Sequence, residues 1–150
     1  MKTLGRILAA VGLSAAVSGA FGATATTTFT VTANVTGACT VSATNLAFGT
    51  YPLASAANID AASTITVNCP NLLPYTVSVV TPTARQMTGP AAATLNYGLY
   101  SDAGRTTGFT NVGAGTGANQ TINVYGRVPS GQSPTSQGAF SDTVTVTVTY

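Results

Sequence analysis

The sequence predicts an all-β domain, a sandwich or a barrel, on three observations. Apolar and polar residues alternate with a period of two in several separate segments, clusters of turn-forming residues divide those segments at short intervals, and no window carries the 3.6-residue apolar period of a capped helix. Gly and the β-branched Thr and Val, all poor helix formers, dominate throughout.

The chain opens with a leader. Lys2 and Arg6 supply a positive start, Ile7 to Val17 an apolar run, and Ala20 and Gly22 the small residues of a cleavage site, the pattern of a secretory signal peptide over residues 1–22. Cleavage after Gly22 or after Ala25 satisfies the small-residue requirement, and Gly22 is favoured. The apolar run is too short, and too rich in Gly, Ser and Ala, for a membrane span of roughly 20 residues. About 128 residues then remain, the length of one exported domain.

From Thr26 onward, Phe29, Val31, Ala33 and Val35 alternate with Thr30, Thr32 and Asn34, so this segment reads as a strand with one apolar face. Ser63 to Asn68 repeats the pattern through Ile65 and Val67, Tyr75 to Val80 through Tyr75, Val77 and Val79, and Thr121 to Tyr125 through Ile122 and Val124. Leu95, Tyr97 and Leu99 are strand-like, and the Ala91-Ala92-Ala93 run after Pro90 allows one short turn. Turn clusters fall at Cys69-Pro70-Asn71, Thr88-Gly89-Pro90, Asp102-Ala103-Gly104 and Pro129-Ser130-Gly131. The final segment, Thr143 to Tyr150, alternates Thr and Val without a break, placing Val144, Val146, Val148 and Tyr150 on one face. Neither terminal strand carries the Lys, Pro or bulge that normally blunts an exposed edge. Two readings follow: both strands are interior to a closed sandwich, or they serve β-augmentation, in which a segment of one chain completes the sheet of another.

Once Lys2 and Arg6 leave with the signal, Arg85, Arg105 and Arg127 face Asp60, Asp102 and Asp142, and the side-chain charge is close to zero. No basic patch remains for nucleic acid, and a nearly uncharged surface of Thr, Ser, Asn, Gly and Ala favours association. Cys39 and Cys69, in an exported chain with no His and three carboxylates, point to one disulfide and away from a metal site. Without His, Lys or Glu in the mature chain, a serine nucleophile has no base, so no catalytic residues, cofactor or small-molecule substrate are expected. Phe48, Tyr51, Tyr97 and Tyr125 are expected to pack core and turns, and Asp102, Asp142 and Arg127 to cap turns or form a local ion pair.

Several strings, taken in order, resemble the spore coat U family, the domain shared by spore coat protein U and the secreted pilins of archaic chaperone–usher systems of the Csu type. They run from Phe29-Thr30-Val31 through Cys39-Thr40-Val41, Leu46-Ala47-Phe48-Gly49-Thr50-Tyr51, Ser63 to Cys69, Arg85-Gln86-Met87, Tyr97 to Asp102 and Val124 to Pro129, ending at Gly138 to Asp142 and the closing Val/Thr strand. The resemblance spans the whole mature chain, with one departure: the family commonly has a Trp after the Tyr-x-Leu-Tyr-x-Asp string, where this chain offers Thr107-Gly108-Phe109.

The resemblance implies an immunoglobulin-like β-sandwich, incomplete for want of its final strand and completed by donor-strand exchange. Residues 23–36 would be the donor strand, with Phe29, Val31, Ala33 and Val35 inserted, and residues 37–150 the pilin domain. Val144, Val146, Val148 and Tyr150 would border the acceptor groove and meet the chaperone. The implied partners are identical or related pilin subunits, a periplasmic chaperone and an outer-membrane usher. The implied setting is a secreted pilus at the cell surface, reached through the periplasm and serving adhesion and biofilm formation. A spore or cell-surface coat protein, or a surface-binding adhesin, is the alternative.

Overall fold

The structure, a computed structural model, describes residues 22–81 and 85–150. The signal-peptide expectation covers residues 1–22, of which 1–21 lie outside the described residues. The chain divides into two units, one ending at Asn34 and one comprising Val35–Tyr150.

In the first unit, residues 22–34 enter no strand and their side chains are exposed. Sequence alternation predicted a strand here, and the difference is physical. Extended backbone becomes a strand only when a neighbouring edge accepts its N–H and C=O groups, and this segment has no ladder.

The second unit builds nine strands among the described residues. They are β1 (Thr40–Ala43), β2 (Ile59–Asn68), β3 (Pro74–Val80), β4 (Gln86–Thr88), β5 (Thr94–Asn96), β6 (Gly98–Tyr100), β7 (Asn111–Ala114), β8 (Gln120–Val128) and β9 (Thr145–Thr149). All pairings are antiparallel. One sheet has the order β1-β2-β8-β6, a second β7-β3-β9, and β4 pairs with β5 as a separate ribbon. Four of the alternating segments became strands, as β2, β3, β8 and β9. The Leu95 to Leu99 stretch divides at Tyr97 into β5 and β6, and Pro90–Ala92 forms a single 3-10 turn. β1, β4 and β7, of three or four residues each, were not anticipated, because so short a run shows no periodicity.

The central ladder joins β2 to β8 from Ile59↔Val128 to Val67↔Gln120. Its inward side chains Ile65, Val67, Val124 and Val128 are buried, as are Tyr75 and Val77 of β3 and Leu99 of β6. This is the alternation of the sequence made physical, since successive side chains on a strand point to opposite faces. Phe109 is buried at 8 % exposure and anchors to β6 through its N–H on the Leu99 carbonyl at 3.0 Å. Cys39 and Cys69 form the expected disulfide. Among the described residues no helix is long and apolar enough to cross a membrane.

Candidate functional site

The two sheets are left open where β1 and β9 come together. β1 is bonded only to β2 and β9 only to β3, so each presents a free backbone edge among the described residues. The two strands touch without sharing a ladder. Between the sheets lies a cleft of about 430 Å³. Ile65, Val124 and Leu99 line it from the first sheet, Val79 and Val146 from the second, and Val144 from the residue just before β9. Leu46, Phe48, Met87 and Phe140 enlarge its apolar surface, while Thr44, Asn45, Ser63, Ser141 and Asp142 supply polar lining.

Two glycines position the aromatic part of this lining. Gly126 sits on the inward face of β8, where a Cβ would stand 2.8 Å from the Phe48 ring and 2.9 Å from Leu46, so the 46–51 segment packs directly on the strand. Gly89 does the same for Phe140, whose ring leaves no room for a Cβ. The approach to β9 is fixed alongside: Thr88 and Ser141 exchange backbone bonds of 2.9 and 3.1 Å. A second opening of about 750 Å³, between residues 46–53 and 134–140, shares Leu46, Phe48, Met87 and Phe140 with the first.

Among the described residues, one charged group lines the cleft. The Tyr97 hydroxyl donates to Asp142 Oδ2 at 2.6 Å, and the Thr143 N–H donates to Asp142 Oδ1 at 2.8 Å. Burial, reinforced by the bond to Asp142, pushes the Tyr97 phenol well above its ordinary range, so it stays a neutral donor. The ring also packs at 6.1 Å from that of Phe48. Asp60, Asp102, Arg105 and Arg127 serve structure elsewhere. Arg127 meets Asp60 in a two-pronged pair of 2.7 and 2.9 Å, Arg105 joins at 3.2 Å, and Arg105 also lies 5.8 Å over the Tyr125 ring. Asp102 caps its turn by accepting the N–H groups of Thr106 and Thr107. Tyr51 packs a turn, its hydroxyl accepting the Gln132 N–H at 2.9 Å.

Of the expected groove residues, Val144 and Val146 line the cleft. Val148 points inward, half-buried, further along β9 and away from the cleft lining. Tyr150 lies beyond the end of β9, 56 % exposed and off the lining. The expected donor residues Phe29, Val31 and Val35 are exposed at 85 %, 79 % and 92 %, and Ala33 is exposed as well. Sequence reasoning missed the opposite wall of Ile65, Leu99 and Val124, Val79 beside Val146 on the second sheet, and the Leu46, Phe48, Met87 and Phe140 cluster. Alternation marks the wall residues as inward-facing, but which inward positions stay uncovered depends on how the sheets close. Among the described residues no group of three or more His, Cys, Asp or Glu is placed to hold a metal. Chemically, an apolar slot between two free backbone edges is suited to receive an extended peptide: pockets for alternate side chains, and N–H and C=O groups for the main chain.

The model of the Spore Coat Protein U domain matches residues 25–147, from within the exposed N-terminal segment to β9. The chain belongs to the spore coat protein U family. Protein U of Myxococcus xanthus is 33 % identical to it over an alignment of 177 positions, covering 100 % of this chain and 98 % of the relative. Among solved structures it is similar to a chain of the CsuC-CsuE chaperone-tip adhesion subunit pre-assembly complex from the archaic chaperone-usher Csu pili of Acinetobacter baumannii. The TM-score is 0.52 at 18 % identity, over 77 % of this chain. The spore coat U chain spans only 40 % of that neighbour's length. This likeness concerns the fold, and it places the open two-sheet architecture among immunoglobulin-like sandwiches.

Proposed function

We propose that this protein is a structural pilus subunit that polymerises by donor-strand exchange: residues 23–36 of one copy fill the β1/β9 cleft of the next. The observation that carries the reading is the pairing, within one chain, of an apolar cleft flanked by two unpaired edges and an exposed segment with apolar residues at every second position. Each Phe or Val buried there contributes about 1.5 to 3 kcal/mol, and each backbone bond formed with β1 or β9 roughly 0.5 to 1.5 kcal/mol net. Such a joint dissociates slowly. Before assembly the cleft needs a temporary occupant, because exposed apolar surface beside free edges aggregates. A periplasmic chaperone strand fills that role, with an outer-membrane usher exchanging it for the next subunit. The similar Csu fold was crystallised as a chaperone complex, in keeping with this route. The role is structural and lies outside the cell, in a surface fibre supporting adhesion and biofilm formation.

The test is expression with a cognate chaperone and usher, followed by electron microscopy of the cell surface. Fibres from the full chain, lost on deletion of residues 23–36 while the subunit still folds, are the expected result. Fibres that persist without the segment overturn the reading. The second reading, a subunit of a spore or cell-surface coat, is favoured by the near full-length match to Protein U, and a continuous layer in place of fibres would support it.

A further inference from the structure

We propose that the Cys39–Cys69 disulfide is the force-bearing staple of the fibre, taking tension from the donor segment into β2 and sparing β1, a strand that walls the acceptor cleft. The inference rests on the donor reading above and adds to it the route by which load enters each subunit.

In that reading Val35 is the last inserted residue, and only Thr36, Gly37 and Ala38 separate it from Cys39. Gly37 already lies against the β2–β3 turn, where a Cβ would meet Leu73 at 3.1 Å and Pro70 at 3.5 Å. Tension along the fibre therefore reaches the body at Cys39. Directly after it comes β1, whose first ladder pair is Thr40↔Asn68, so the disulfide spans the position next to that pair, at the end where the pull arrives.

β1 is poorly built to bear that pull alone. It has four residues, all exposed, and is hydrogen-bonded to one strand among the described residues. A short edge strand pulled from one end peels, its backbone bonds breaking in turn and not together. β2 is the opposite case, paired along its length with β8, and Cys69 at its end is fully buried. β1 is also worth protecting. Ala43 and the adjoining Thr44 line the cleft, and Thr44 binds back to β2 through its N–H on the Thr64 carbonyl at 2.9 Å. Peeling β1 would open the cleft and release the donor held there. A bond that closed the same loop at any other point of β1 would stabilise the resting domain but would leave the peeling end free.

The test holds fibres of the intact protein under constant force in the presence of a phosphine reductant. If the disulfide bears the load, its cleavage rate rises several-fold with applied force, since force lowers the barrier to breaking a bond it stretches. Each cleavage is followed by a short extension, on the order of 10 Å, as β1 peels, and then by loss of the neighbouring subunit. A cleavage rate independent of force, or reduced fibres that part at the same load as oxidised ones, overturns the proposal. The Cys39→Ala/Cys69→Ala double variant should assemble at rest and shed subunits at lower load. If it does not fold, wild-type fibres reduced after assembly give the same comparison. Absence of fibres from the unaltered protein would instead sink the donor reading and this inference with it, an outcome distinct from fibres whose strength ignores the disulfide.

Discussion

Tyr97 and Asp142 meet in the cleft lining from positions 45 residues apart, and the bond between them stabilises both the aromatic floor and the approach to β9. A hydrogen bond to a charged group contributes about 1.5 to 3 kcal/mol. Tyr97→Phe should lower unfolding stability by roughly that amount, read as a fall in the urea midpoint with unchanged slope; an unchanged midpoint would mean that water replaces the hydroxyl freely. The close approach at Gly126 is tested separately. Gly126→Ala forces Phe48 and Leu46 off the strand, an overpacking expected to destabilise by about 1 to 3 kcal/mol and to weaken donor binding by reshaping the cleft. In the donor reading, Val31→Asp places a carboxyl inside the neighbour's groove, where desolvation opposes it by several kcal/mol unless it takes up a proton. Thr32→Asp leaves its charge on the outer face. Fibre length should collapse for the first and hold for the second, with both subunits folded; equal polymerisation would place the alternation wrongly.

At the scale of elements, the proposed donor role of residues 23–36 is tested with the segment supplied separately. A chain of residues 36–150 should gain stability from a peptide of residues 23–35. At a hundredfold excess over Kd the shift corresponds to about 2.7 kcal/mol, or roughly 10 °C in melting temperature for a domain of this size. No shift at saturation would count against strand donation. Legibility from sequence differed sharply among these elements. β2, β3, β8 and β9 were plain in the alternation of Ile65 with Val67, Tyr75 with Val77, Ile122 with Val124 and Val144 with Val146, because burial of one face imposes a period of two over many residues. β1, β4 and β7 were not, because they are held by register with their neighbours: Thr40↔Asn68 in β1, Met87↔Leu95 in β4 and Gly113↔Tyr75 in β7. The N-terminal segment shows the reverse: strand-like alternation without a strand, since pairing, not pattern, makes the ladder.

For the whole molecule, stability should depend on pH through Asp60 and Asp102. The hydrogen bond from Arg127, then the nearby Arg105 charge, hold the Asp60 carboxyl below its ordinary value of 3.8. The Thr107 N–H, then that of Thr106 with its hydroxyl, hold down Asp102 in the same way. A carboxylate depressed on folding stabilises in full above the unfolded value and loses that contribution as pH falls through the folded one. Urea midpoints should therefore be level from pH 7 to about 5 and decline below 3.8, with a shallower decline in Asp60→Asn. A decline equal to that of the parent protein would remove Asp60 from the account. The disulfide closes a separation of 30 residues, and its loss is expected to lower stability by about 3 to 4 kcal/mol on loop entropy.

Residue types and their periodicity alone determined the class of this protein: a β domain sparing in charge, with two cysteines expected to form one disulfide and an apolar alternation in its N-terminal and final segments. Those properties are local, or follow from composition, so no folded context is needed to read them. The cleft was decided by tertiary structure alone. Its walls come from β2, β3, β6, β8 and β9, its aromatic lining from Phe48 and Phe140 resting on Gly126 and Gly89, and its opening from the failure of β1 and β9 to pair. A one-dimensional pattern can say that a side chain points inward, but only the closure of two sheets determines whether anything in the same chain lies there to cover it.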